Sequence, residues 1–401
     1  MHLLLKAILI TALLLGFTSV TGTIHAQSFT HPINISNNDG NADHSPQIYG
    51  DYVVWRRHYD GNDGEIYLYR ISTATLIGNI SHNVGLDVRN PQIYGDYVIW
   101  YDDGVNGIKD NEIYLYQIST PTSSPINISN NVGNHNKYPQ IYGDYVVWFG
   151  NDGNDDEIYL YQITTPTNPA INISKNDGNN DWNPQVYGDY VVWRSWDGND
   201  GEIYLYRIST PTTLPINISN RDVYDDEFPQ VHGDYVVWQG NDGNDFEIYL
   251  YQMSTATTPI NISSNGYDDY IPQVYGDYVV WQGNDGNDFE IYLYRISTPT
   301  TLPINISNRD GDNDVSPQIY GDYVVWYDED GITDSEIYLY RISTATFIGN
   351  ISNNEVYDDE FPQVYGDYVV WQGWDGNDLE IFLSFKAFPW TMFLPAIINN
   401  Q

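Results

Sequence analysis

Eight times along this chain an acidic loop runs into an apolar segment. In its cleanest form it reads NDGNDFEIYLY, Asn241–Tyr251, and the same letters return at Asn284–Tyr294. The loop places one Asp, a second Asp three residues on, and a Glu two further. Clean copies are Asp60, Asp63 and Glu65; Asp152, Asp155 and Glu157; Asp197, Asp200 and Glu202; Asp242, Asp245 and Glu247; Asp285, Asp288 and Glu290; and Asp375, Asp378 and Glu380. In an extended chain the second Asp and the Glu point to one side. With the first Asp and an Asn carbonyl they could supply about half of the six to eight oxygens that calcium takes. The same letters are also hairpin chemistry, since Gly and Asn accept positive φ. Two further copies carry insertions, DDGVNGIKDNE and DEDGITDSE, that break the spacing, and none completes the twelve-residue calcium loop. The loop reads as a turn first and a weak calcium site second. No other cofactor is implied.

Other residues that could do chemistry are few. Trp182, Trp196 and Trp374 fall in loops and do not recur in every copy, which suits them to ligand contact. Arg56 and Arg57, with His58, are the one basic departure among the acidic loops and point to an anion contact. The eight His residues show no metal spacing, and there is no Cys, so thiolate metal sites and disulfides are excluded. No nucleophile elbow or Ser-His-Asp order occurs. An active site needs unlike residues in unlike roles at one place, whereas copies of one unit give rings of like residues. That favours binding or scaffolding over catalysis. Paired carboxylates are nonetheless abundant, which leaves an extracellular carbohydrate-active enzyme, a lyase or glycosidase, as the alternative.

The 401 residues carry 54 acids against 15 bases, a formal charge of −39. Such a surface repels nucleic acid and anionic lipid and attracts cations. Disorder is excluded by 41% hydrophobic residues and 15% aromatics, ample for a core. Residues 1–26 differ from the rest: one Lys, Lys6, precedes the apolar run AILITALLLGF, as in a secretory signal peptide. Cleavage before Gln27 removes Lys6 and no acid, taking −39 to −40. The mature chain is expected to be secreted, periplasmic or on the cell surface. Its expected state is monomeric, with no membrane span and with an extracellular or envelope protein or glycan as partner.

The elements that must position these residues come from a repeat. PQIYGDYVVW at Pro46 recurs at Pro91, Pro139, Pro184, Pro229, Pro272, Pro317 and Pro362, at intervals of 43 to 48 residues. EIYLY or a close variant and the triplet NIS also occur eight times each. Every unit holds four short runs rich in Val, Ile, Tyr and Trp, separated by Gly-Asp, Asp-Gly-Asn and Thr-Pro turns, which reads as four strands. YVVW and IYLY are apolar on both faces, as in sheets stacked face to face. Four strands per roughly 45 residues describe a β-propeller blade. The chain opens on a fourth strand, His31–Ser36, and closes after a third, Glu380–Phe385. The N-terminus should therefore complete the last of eight blades and leave no open edge. The expected fold is an all-β, eight-bladed propeller over 27–386, followed by an apolar tail, 387–401, that serves either surface attachment or packing on the ring.

The unit P-Q-[IV]-Y-G-D-Y-V-V-W … D-G-N-x-x-E-I-Y-L-Y … N-I-S resembles the TolB-like, or WD40-like, β-propeller repeat. SPQIYG at Ser45 and Ser316 and DGNDFEIY at Asp242 carry the likeness. The resemblance covers residues 31–385 and implies the propeller fold. It implies little about activity, because such propellers host many functions. The chain departs from TolB in lacking a mixed α/β domain ahead of the repeats and in having eight units.

Propeller geometry assigns the loops to faces. Hairpins between second and third strands and linkers between blades emerge together, which predicts one anionic face. YGDY turns and Ser/Thr/Pro loops form the other, with little charge. The eight in-register Trp residues, from Trp55 to Trp371, are expected between blades. NIS matches a glycosylation acceptor but is also the outer strand itself.

Overall fold

The computed structural model describes residues 29–36, 40–59, 63–82, 87–102, 111–130, 134–175, 178–196, 198–219, 224–308, 311–329, 334–352 and 357–387. The N-terminal apolar segment and the tail from Phe388 lie outside them, as do Asp60, Asp197 and the side chain of Asp63. Phe29–Phe385 form one compact unit of eight four-stranded antiparallel sheets, with no helix among the described residues. The protein is an eight-bladed β-propeller.

In the first blade Ala42–Tyr49, Tyr52–Tyr59, Asp63–Arg70 and Thr75–Asn79 pair in chain order. The turn between the first two strands is Gly50-Asp51, with Gly50 at φ +60°. A two-residue hairpin with positive φ at its first central position needs Gly there, which is why YGDY or HGDY recurs in every unit. The last blade is built otherwise. Asp359–Tyr365, Tyr368–Trp374 and Leu379–Phe385 take Ile33–Asn34 as their fourth strand, with Ile33 opposite Leu383 and Asn34 opposite Phe382. Closure through the N-terminus holds as the order of motifs predicts. The outer strands are shorter than the sequence suggests. Six blades pair only an Ile-Asn dipeptide there, and two pair five residues, Thr75–Asn79 and Thr346–Asn350.

Three repeated links build the ring, one between neighbouring blades and two between strands of a single blade. The eight Trp residues are fully buried, each in a core cluster drawn from adjacent blades. Losing one to Ala would cost about 3–5 kcal/mol. Seven of the indoles donate to an Asp or Asn twelve residues earlier, as Trp238 does to Asp226 at 2.9 Å and Trp148 to Asn136 at 2.8 Å. In the second blade Val88 stands at that position, and the buried Trp100 Nε1 has no hydrogen-bond partner. Finally, the Ser of each NIS triplet donates to the Glu that opens the third strand, as Ser219 does to Glu202 and Ser36 to Glu380, and accepts the N–H of the following Ile. The triplet is thus a structural clasp in all eight blades.

These links correct the predicted faces. The linker Asp residues Asp43, Asp181, Asp226, Asp269, Asp314 and Asp359 are buried beneath the rim rather than displayed on it. The opposite face is not charge-poor. In the first seven blades the Asp of this turn anchors the loop after the third strand, as Asp189 accepts from Ser209 N–H at 2.7 Å and from Arg207 at 2.8 Å. These contacts hold the Asp189 carboxyl below the usual range, outweighing the burial that pushes it up.

Candidate functional site: the mouth of the axial channel

The first strands contact one another in succession around the axis and so line the channel. At their C-terminal ends Tyr49, Tyr94, Tyr142, Tyr187, His232, Tyr275, Tyr320 and Tyr365 close an unbroken aromatic collar, with neighbouring ring centres 4.3–4.8 Å apart. The phenol groups stand near enough to perturb one another: Tyr49 with Tyr94 and Tyr365, Tyr142 with Tyr94 and Tyr187, Tyr320 with Tyr275 and Tyr365. Burial, then the neighbouring phenols, raises these three hydroxyls well above the ordinary range, so they stay protonated. His232 is the single substitution, and its Nδ1 accepts the N–H of Gly276 at 3.1 Å.

The other end of the channel, on the hairpin-and-linker face, is built on a bulge. In every blade the register between first and second strands shifts just before the Pro-Gln pair. The residue before that Pro is left-handed in all eight: Ser45, Asn90, Tyr138, Asn183, Phe228, Ile271, Ser316 and Phe361, at φ 49–58°. This conformation is costly for residues other than Gly and worst for a β-branched one such as Ile271. Bulges of this kind re-aim side chains at rims. Here they turn large apolar groups outward, leaving Tyr138 46%, Phe228 48% and Phe361 47% exposed.

Blade junctions extend this rim. The second-strand residue of one blade meets the left-handed residue of the next. Gln372, Gln239 and Gln282 accept the N–H groups of Ser45, Ile271 and Ser316 at 2.9–3.0 Å. Tyr101 packs on Tyr138, and Tyr327 on Phe361, at 5.8 and 5.5 Å between ring centres. Opposite the second-strand residue stands the residue two before Pro, in the pairs His44–Arg56, Arg89–Tyr101, Lys137–Phe149, Trp182–Arg194, Glu227–Gln239, Tyr270–Gln282, Val315–Tyr327 and Glu360–Gln372. Each blade thus offers a triple whose members differ from blade to blade, while the Pro-to-Trp segment behind it hardly changes. Bases collect in the first four blades (Arg56, Arg89, Lys137, Arg194) and acids in the fifth and eighth (Glu227, Glu360). The predicted anionic face therefore contains a cationic arc.

The residues singled out from sequence fall variously. Trp182 and Trp196 come together: the Arg194 guanidinium lies 5.5 Å from each ring, pairs with Glu227 at 3.1 Å, and Trp182 donates to Asp156 at 2.7 Å. Trp374 stands exposed on the last blade, away from both. Arg56 is mostly buried at the first junction, donating to Asp87 at 2.5 Å and to His44 Nε2 at 2.6 Å. Arg57 is turned into the core, with Nε and Nη2 on Asp43 at 2.8 and 2.7 Å.

The acidic hairpins form the turn expected of them: Asp242 Oδ1 accepts the N–H of Asn244 at 2.9 Å, and Gly243 is at φ +102°. One oxygen from each carboxylate lies within 4.8 Å of the others in four hairpins, those of Asp152, Asp242, Asp285 and Asp375. Asp200 and Glu202 are buried, and Glu65 and Glu202 bond Ser81 and Ser219.

His44 illustrates the electrostatics of the cationic arc. Burial, then the positive Arg56 and His58, lowers its pKa to about 4, outweighing Asp87, which acts the other way. Because Arg56 donates to Nε2, the neutral ring carries its proton on Nδ1, facing Ser45 Oγ at 3.2 Å. In an NMR titration His44 should stay neutral down to about pH 4. Its folded value lies below the unfolded one, so this contribution to stability is whole above pH 6.5 and is lost as pH falls towards 4. A midpoint near 6.5 would contradict the burial and the Arg56 contact.

No family model matches the chain, and no curated protein matches it. Solved structures do. The computationally designed Ika8 protein is 16% identical, with TM-score 0.61 over 87% of this chain and 97% of that one. A prolyl endopeptidase is 11% identical, with TM-score 0.60 over 83% of this chain and 54% of that one. The β-propeller domain of the Trilobed protease from Pyrococcus furiosus, described as having an open velcro topology, is 12% identical, with TM-score 0.53 over 75% of this chain and 95% of that one. At these identities the likeness is one of fold, and the chain spans about half the length of the endopeptidase.

Proposed function

We propose that the chain is an exported, non-catalytic binding module whose partner, a protein or glycan of the cell exterior or envelope, seats on the mouth of the channel. One observation carries this reading. The blades repeat almost letter for letter, yet they diverge in the linkers and rim triples of a single face, and there the backbone adopts a strained conformation that exposes aromatic groups. Strain repeated eight times is retained where the surrounding fold over-determines it, commonly at ligand clamps. Exposed aromatics with Arg beside them are the usual anchors of binding surfaces. The eight third-strand Glu residues all bond a Ser, a structural role repeated without variation, which supports scaffolding over acid–base chemistry. Export rests on the N-terminal segment 1–26. The likeness of the repeat motifs to the TolB-like repeat supports a kinship with those propellers. The peptidase neighbours share its fold at low identity, and no peptidase step is proposed from them.

The test uses the mature chain from Gln27 in a glycan array and an envelope pull-down. Changing Tyr138, Phe228 and Phe361 together to Ser should weaken whatever binding is found by at least about tenfold, since single anchors contribute about 2 kcal/mol. The melting temperature should hold, because these side chains are half exposed. Undiminished binding by the triple variant would move the site elsewhere, and turnover of a polysaccharide by the wild type would replace binding with catalysis.

A further inference from the structure

The two Asp residues of the last hairpin have different surroundings. Asp375 is occupied by the turn, its Oδ1 accepting the N–H groups of Asn377 and Asp378 at 2.9 and 3.2 Å. Asp378 is only 7% exposed, and both its carboxylate oxygens are shielded from solvent with no hydrogen-bond donor. One oxygen each from Asp375, Asp378 and Glu380 lie within 4.8 Å of one another. A buried carboxylate that accepts nothing and faces two more lacks the compensating partner that a buried charge requires.

We propose that Asp375, Asp378 and Glu380 hold a calcium ion, and that Asp285, Asp288 and Glu290 hold a second. A second hairpin repeats the argument independently: Asp288 Oδ1 is buried without a donor, while its Oδ2 takes the Gly311 N–H at 2.5 Å. The ligand set is all oxygen, which selects a hard cation. Calcium bonds to oxygen run about 2.3–2.6 Å, so oxygens up to about 5 Å apart can share one ion, whereas magnesium at about 2.1 Å asks for a tighter set. Solvent on the open side of the turn completes the coordination. The site bears on ring closure, since Glu380 also accepts from Ser36 of the N-terminal strand. Nothing in this depends on the binding role of the channel mouth.

Mature protein stripped with EDTA and dialysed against about 5 mM calcium, above the roughly 0.1–1 mM at which extracellular modules half-fill, should retain two calcium ions per chain by atomic emission. Asp378→Asn should retain one, and terbium emission sensitised through Trp374 should fall in that variant. Calcium should raise the wild-type melting temperature more than sodium chloride of matched ionic strength. Retention of no calcium beyond the buffer blank would overturn the proposal, and so would two ions in Asp378→Asn, which would place calcium elsewhere. Should Asp378→Asn fail to fold, Asp288→Asn tests the same count in a blade away from the closure.

Discussion

A chain lacking residues 27–38 is expected to aggregate, or to melt at least about 10 °C below the intact protein. The deleted segment supplies the fourth strand of the last blade. Besides the Ile33 and Asn34 pairs, Thr30 N–H donates to the Phe385 carbonyl at 2.9 Å, Ile35 N–H to the Ile381 carbonyl at 2.8 Å, and Ile381 N–H to Ser36 Oγ at 2.8 Å. Ile35 is buried against Ile381 and Leu383 in the cluster that joins the last blade to the first. Burial of one Ile contributes about 1.5–3 kcal/mol, and the hydrogen bonds about 1 kcal/mol each. Their sum is comparable with a domain's whole net stability of about 5–15 kcal/mol. The deletion also leaves Glu380 without its Ser36 donor and opens a strand edge that invites pairing between chains. A synthetic peptide of residues 27–40 added in trans should restore part of the lost stability. Differential scanning fluorimetry with size-exclusion chromatography reads both effects, and an unchanged melting curve for a monomeric truncated chain would disprove closure by this strand.

Arg57→Ala should be among the most damaging single substitutions, at about 3–5 kcal/mol, the range for breaking a buried pair from one side. Arg57 is 2% exposed and Asp43 0%. The guanidinium grips both Asp43 oxygens, donates to the Ser36 carbonyl at 2.7 Å and lies 4.2 Å over the Tyr67 ring. Removing it strands a charge beneath the Trp55 indole, which donates to the same carboxylate at 2.6 Å. The third blade supplies the control. There the position of Arg57 is Gly150, a Cβ on which would collide with Asn136, and that Asn takes the place of Asp43 as acceptor for Trp148. The double substitution Arg57→Gly with Asp43→Asn recreates this neutral arrangement and should recover most of the loss in denaturant titrations. Equal damage from the single and double variants would show that the charge is not the cause.

Much of the fold is legible in the letters because each strand carries its own repeated marker. Four markers per unit set the blade, and the order in which they begin and end set the closure. The hairpin face followed from strand direction alone. Other features could not be read one unit at a time. The Tyr of YGDY looks like any strand aromatic until eight copies are brought onto one axis. The buried Asp twelve residues before each Trp looks like one more acid in an acidic linker, although its spacing and the Asn136 and Val88 exceptions mark it as a fixed partner. Arg57 reads as a surface cation because the Gly that replaces it in four other blades is understood only when its missing Cβ is seen to make room for the linker Asp. The rim triples escaped notice because the repeat draws attention to what is constant, whereas the signal lay in two positions before Pro that never settle on one residue type.

Ring closure shared between the two ends of the chain also bears on how such a protein changes over generations. Asn241–Tyr251 and Asn284–Tyr294 are identical and stand one blade apart, so an exchange between their coding segments would delete or duplicate one complete blade in frame. The N-terminal strand meets the last unit whatever the count, and every junction packs around the same buried Trp, so the product still finds matching partners at each seam. Copy number is then limited mainly by how many aromatic residues can sit side by side around the axis, and a change of one would redraw the sequence of rim triples in a single genetic step.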